Sequence, residues 1–254
     1  MKQLTHLSLF SGIGGLDLAA EWAGIQTVGQ CEWADYPTKV LEKHWPDTPR
    51  WRDIRTLTGE SFYERTGLHT VDIISGGFPC QPFSVAGKRR GKEDDRYLWP
   101  EMFRVIRELK PKWVVGENVS GLIRAALKDI LSELEKEGYE ARAYSSEARN
   151  VGGLFRGERI AIVAASNDRC ATMRRNGEFQ TDGKTQRFQN YNRGRTQEPC
   201  LWKRREIESR PYGVADGISD RVDRLRCLGN AVVPQQFYPI FKAIVDVEKE
   251  RDND

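Results

Sequence analysis

The chain has 254 residues, 30% of them charged, and a formal net charge of +3. With a mean hydropathy of −0.63 and no apolar run near the ~20 residues of a membrane helix, no membrane association is expected. The five cysteines, Cys31, Cys80, Cys170, Cys200 and Cys227, are odd in number and form no C-x-x-C pair, which argues against a disulfide framework and a metal site and for a reducing, cytoplasmic setting.

The apolar start is short and broken by Thr5, His6 and Ser8, a poor signal peptide. Residues 4–10 predict a strand, and the Ser11-Gly12-Ile13-Gly14-Gly15 loop leads into a periodic helix over 16–23 with Gly24 as its stop. A strand over 25–31 and a helix over 34–44 follow, the helix stopped near Pro46. Residues 71–75 read as a strand. The stretch 96–109 reads as a helix, with Leu98, Met102, Val105, Ile106 and Leu109 on one face. Pro111 ends it and a strand over 113–115 begins. A helix over 122–137 stops at Gly138, and strands over 139–145 and 159–165 lie close enough to pair. Such alternation predicts an α/β sheet with helices on both faces, and ligands of such sheets bind at the carboxyl ends of the strands.

The pattern breaks at 167–210, which is polar and almost without apolar periodicity. Between Ser166 and Arg210 there are eleven Lys/Arg against six Asp/Glu. That surplus on a near-neutral chain suits a phosphate-contacting surface or an ordinary solvated loop. Past Arg221 order returns, with a helix expected over 234–249 and Pro234 in its first turn.

The chemistry-bearing residues cluster after strands. Gly76-Gly77-Phe78-Pro79-Cys80-Gln81-Pro82-Phe83-Ser84 places one thiol between two prolines that restrict the loop. Cys80 is a candidate nucleophile, or a small buried hydrophobe. The glycines after Phe10 let a ligand approach the backbone at a helix start, although the spacing departs from G-x-G-x-x-G. Glu32 follows the second strand, where an acid can hold ribose hydroxyls, and Asp53 can take an adenine amine; either acid can equally be a surface charge. Glu117-Asn118-Val119 ends a strand on the same sheet edge as Cys80, so Glu117 can face the thiol across one pocket.

In this order the segments resemble the cytosine-5 DNA methyltransferase family. The matching stretches are Phe10 to Leu18, Gly76 to Ser84, Glu117-Asn118-Val119, Arg159-Ile160-Ala161-Ile162-Val163 and Gly229-Asn230-Ala231-Val232-Val233-Pro234. The resemblance implies a Rossmann-like class I methyltransferase sheet over 1–165, a short irregular target-recognition region over 166–220 and a C-terminal segment over 221–254 that packs back. It implies a small modification enzyme, phage-type or solitary, that is monomeric and acts on duplex DNA with S-adenosyl-L-methionine as methyl donor and no metal. Cys80, Glu117 and Arg159 would be catalytic. Phe10, Gly12, Gly14, Gly15, Glu32, Trp33, Asp53, Phe78, Pro79 and Asn230 would bind the cofactor.

The arginine motif departs from the family's Gln-x-Arg-x-Arg: the positions hold Phe155, Gly157 and Arg159, with Arg156 as a stand-in shifted by one residue. Ala231 and Arg52 also replace usual residues. An RNA (tRNA) cytosine-5 methyltransferase and a DNA-binding regulator with weakened turnover are the alternatives. The stretch 85–97 after the nucleophile, rich in Lys and Arg, is expected to close over DNA.

Overall fold

The computed structural model describes residues 3–79, 97–153, 155–168 and 221–252. Strand β1 (Thr5–Leu9) leads through the glycine loop into α1 (Gly15–Trp22), and β2 (Gln26–Cys31) leads into α2 (Asp35–His44). Next come β3 (Arg50–Trp51), α3 (Gly59–Thr66) and β4 (Ile73–Gly76). Helix α4 (Trp99–Leu109) precedes β5 (Trp113–Val119), a short α5 (Leu122–Ala125) and α6 (Leu127–Lys136). Strands β6 (Tyr139–Glu147) and β7 (Glu158–Ser166) follow, and α7 (Arg221–Asn230) and α8 (Pro234–Arg251) complete the described chain.

The strands form one seven-stranded sheet in the order β3-β2-β1-β4-β5-β7-β6. Only β7 runs against its neighbours. Leu7, Leu9, Ile74 and Val114 point to one face, where they pack with Phe62, Trp99, Met102 and Ile130 from the helices there. Ile73, Trp113 and Val115 point to the other, against Leu16, Ala19 and Ala20 of α1 and Phe237, Ile240 and Phe241 of α8. Helices therefore cover both faces, as the alternating pattern predicts for a buried, mostly parallel sheet.

The second face also carries polar residues. His6 bonds Thr27 Oγ1 at 2.9 Å and Ser75 Oγ at 2.7 Å, tying β1 to both neighbours. Ser8 and Gln30 donate to Asp17 on α1, and Arg50 donates to Gln30. Every member of this network has a partner, as burial in low dielectric requires. Burial holds the His6 imidazole down at about 3 and the Asp17 carboxyl up at about 6.

The elements differ from the sequence expectation in four places. Strand β5 runs on through Glu117 and Asn118 because β7 pairs along its whole length. Helix α3 arises where no element was expected: Thr58 caps it, with its hydroxyl accepting from Ser61 N while Ser61 Oγ accepts from Thr58 N. A serine in the third position hides this capping box from the usual Glu/Gln signature. The helix expected over 122–137 breaks at Ala126, whose φ is −148°. Residues 221–230, where order but no particular element was expected, form a helix. Among the described residues no helix is long and apolar enough to cross a membrane.

Candidate active site

A cleft of about 1020 Å³ opens at the carboxyl ends of β1, β2, β4 and β5. Phe10, Gly12 and Gly15 form one wall, Glu32, Trp33 and Asp53 a second, and Gly77, Phe78 and Pro79 the floor near Glu117 and Arg159. Asn230, Ala231 and Val232 close it from the C-terminal segment. The topology thus brings together every site residue expected from sequence that lies among the described residues, except Gly14. Cys80 lies outside them, as do residues 81–96 and 169–220, which hold most of the expected closing loop and target-recognition region.

The glycine loop starts with Phe10 at φ 53° and Gly12 at φ 56°. No atom lies within 4 Å of where a Gly12 Cβ would stand, so its backbone faces open space in the cleft. Gly14 serves packing instead: a Cβ there would stand 2.5 Å from the Trp45 ring of α2's end. The Glu32 carboxylate accepts from Gly12 N and Ala34 N, both at 2.8 Å. It therefore fixes the loop while keeping lone pairs for a ligand. Asp53 accepts from Arg55 N at 3.0 Å, and Trp33 is 71% exposed at the rim.

At the far end Glu117 is 9% exposed. Its place follows from strand register. In the β5–β7 ladder Glu117 stands opposite Ala161 and Val119 opposite Arg159. Residues two apart share a face, so Arg159 is the diagonal neighbour of Glu117. Arg159 Nε meets Glu117 Oε1 at 3.0 Å. On the other side Glu117 Oε2 lies 2.7 Å from where a Gly77 Cβ would stand, so a side chain at 77 would displace the carboxyl from this place. Burial pushes the Glu117 carboxyl up to about 7, against the opposing pull of Arg159. A carboxyl that still holds its proton near neutrality offers one donor and one acceptor side by side.

Asn118 is a residue whose role the sequence did not reveal. Its amide donates to Phe78 O at 2.9 Å, fixing the chain as it leaves β4. The Phe78 ring is 2% exposed and packs on Trp99 at 5.2 Å, so Phe78 anchors the floor from below. Pro79, which directly precedes Cys80, borders the cleft. Cys31, which lines the cleft, is inert: it is buried, and burial raises its pKa to about 12.

The altered arginine motif has a steric logic. A Cβ on Gly157 would stand 2.5 Å from the Phe155 ring. The exposed Phe155 ring lies over this position, and the φ of 45° at Gly157 also disfavours a side chain there. Arg156 does not replace the missing guanidinium: it pairs with Glu147 at 3.1 Å and does not line the cleft. Among the described residues no group of three or more His, Cys, Asp or Glu is placed to hold a metal ion.

Residues 4–214 match the family model for C-5 cytosine-specific DNA methylases. The chain is similar to the type II methyltransferase M.HgiCII of Herpetosiphon aurantiacus, 37% identical over 168 residues that cover 64% of this chain and 37% of that protein. It is 35% identical to M.HhaI of Haemophilus parahaemolyticus over 178 residues, 66% of this chain and 51% of that one. The chain thus spans about half or less of the length of these relatives. In fold it is similar to the S. pombe Dnmt2 methyltransferase, with a TM-score of 0.55, 20% identity, and coverage of 71% of this chain and 53% of that chain.

Proposed function

Because this chain belongs to the C-5 cytosine-specific DNA methylase family, we propose that it methylates C5 of a cytosine flipped out of duplex DNA, with Cys80 as nucleophile. The observation that carries this reading is the buried Glu117–Arg159 pair, pressed against Gly77 three residues before Cys80 and sharing a cleft with the glycine loop. The open backbone at Gly12, the Glu32 and Asp53 carboxylates and the cleft volume suit a nucleoside-bearing ligand, and S-adenosyl-L-methionine fits them. When bound, it supplies an electrophilic methyl group.

The remaining work falls to the chain. The Cys80 thiolate adds to C6 of the ring, and the electron pair of the C5–C6 double bond becomes available at C5. The Glu117 carboxyl matches the cytosine edge: its O–H donates to N3, an acceptor, and its other oxygen accepts from the exocyclic amine. Arg159 holds that carboxyl and has N–H groups left for O2. C5 takes the methyl, a base removes the C5 proton, and the returning electron pair expels the Cys80 thiolate. A flipped base costs a few kcal/mol of unstacking, and the burial of Glu117 strengthens the contacts that repay it.

The test is transfer of labelled methyl groups from S-adenosyl-L-methionine to unmodified genomic DNA and, in parallel, to transfer RNA, with bisulfite mapping of the product. Incorporation into DNA at C5 of cytosine in a short sequence is expected. Cys80→Ser is expected to lower transfer at least about a thousandfold and to abolish trapping on a 5-fluorocytosine duplex, with cofactor binding retained. No incorporation into DNA by a chain that binds the cofactor would overturn the proposal, and persistent trapping by Cys80→Ser would assign another nucleophile.

A further inference from the structure

Helix α8 begins just beyond the cleft wall formed by Asn230, Ala231 and Val232. Its third residue, Gln236, is 4% exposed and turns toward the sheet rather than the solvent. The side-chain amide donates twice, from Nε2 to Ser146 O at 2.9 Å and to Gly157 O at 3.0 Å. Both acceptors bear on Arg159. Ser146 is the residue opposite Arg159 in the β6–β7 ladder, and Gly157 lies two residues before it, immediately before β7 begins. Gly157 has a φ of 45°; the regular β6–β7 register ends at Glu158, and beyond it Ala148 N reaches the Gly157 carbonyl at a long 3.3 Å while also donating to Arg156 O. A strand end of this kind frays unless something holds it. A buried amide that donates to both carbonyls is such a clamp, since breaking its bonds removes a buried contact from each of the two strands.

We propose that Gln236 is a positioning residue for the reaction: by clamping the carbonyls of Ser146 and Gly157, it holds Arg159 on the Glu117 carboxyl. The inference rests on the reading of Glu117 as the group that takes the base edge. It also gives the C-terminal segment a second task, because the stretch that walls the cleft also fixes the group facing the base. The other charged residues lining the cleft are Glu32, Asp35, Asp53 and Asp223, with Arg52 and Arg55. Among the described residues Arg159 is the charge that acts on Glu117. Loosening Arg159 therefore removes the stabilising charge from the Glu117 carboxylate, and its titration midpoint must rise.

The experiment follows the Glu117 side-chain carboxyl by carbon-13 NMR as pH is varied, with Glu117→Gln assigning the signal. Gln236→Met, of similar length but without donors, is compared with the wild type and with both substitutions in an Arg159→Gln background. The expected result is a rise of about one pH unit for Gln236→Met, with methyl transfer slowed about tenfold. No further rise is expected once Arg159 is gone, because a residue acting through Arg159 has nothing left to position. An unmoved midpoint, or the same rise in both backgrounds, would overturn the proposal. Gln236→Asn keeps the amide on a shorter stem and gives the same comparison with a smaller rise if Gln236→Met fails to fold. The titration needs no turnover, so a chain that failed to methylate DNA would sink the proposed function while leaving this question answerable.

Discussion

In water Glu117 would be an ordinary carboxylate; at the end of β5 it has Arg159 on one oxygen and the Gly77 Cα against the other. Burial raises its pKa from 4.5 to about 7. Between those values the folded chain keeps a proton that the unfolded chain has released, so stability falls as pH rises through that window. The cost reaches about 3 kcal/mol above the upper value, at ~1.4 kcal/mol per unit. Glu117→Gln has no proton to lose. Its stability relative to wild type, measured by urea denaturation, is expected to climb from pH 4.5 to about 7 and then level off, while methyl transfer drops about a hundredfold or more. A stability difference independent of pH would show that the carboxyl titrates normally.

At the scale of elements, what matters is how closely the glycine loop and the C-terminal segment meet. A Cβ on Gly15 would stand 2.7 Å from Val232 O, a backbone atom that cannot swing aside. Gly15→Ala would therefore push the Asn230–Val232 wall away from the start of α1. Cofactor affinity by calorimetry is expected to weaken about tenfold or more, at ~1.4 kcal/mol per tenfold, with the stability loss confined to a few kcal/mol. Unchanged affinity would mean that the wall contributes no binding contact. Gly15 stands in a sequence motif whose glycines suggest a ligand, yet this glycine makes room for protein.

At the scale of the whole molecule, α8 ties the last described part of the chain to the middle of the sheet. Trp113 at the start of β5 donates its indole N–H to Glu248 at 2.9 Å, across 135 residues of sequence. Lys112 lies 3.9 Å from the same carboxylate and 2.6 Å from Asp72, so one cluster joins the loop before β4, β5 and α8 at the end of the sheet away from the cleft. Glu248→Ala would leave the buried indole N–H without its acceptor. It is expected to lower unfolding free energy by about 1–3 kcal/mol while the rate of methyl transfer at saturating substrate stays within about twofold. A larger loss of rate would mean that α8 transmits strain along β5 to Glu117.

Much of this architecture was legible in the chain itself. The alternating apolar runs fixed a sheet with helices on both faces, and five ordered motifs identified the family, because backbone geometry and cleft chemistry require particular residues at short spacings. Helix α3 escaped because a serine does the work expected of a glutamate, and α7 because its polar sequence carries little periodicity. Gln236 and Gly77 escaped for a deeper reason. Their importance lies in atoms brought close from residues 40 to 90 positions away: Glu117 for Gly77, and Ser146 and Gly157 for Gln236. Sequence by itself determined which groups are available and that they gather at one sheet edge. Tertiary structure alone decided that the antiparallel β7 sets Arg159 diagonally beside Glu117, and that burial there keeps a proton on the carboxyl. Register and desolvation belong to pairs of distant segments, and neither is encoded in any local stretch of residues.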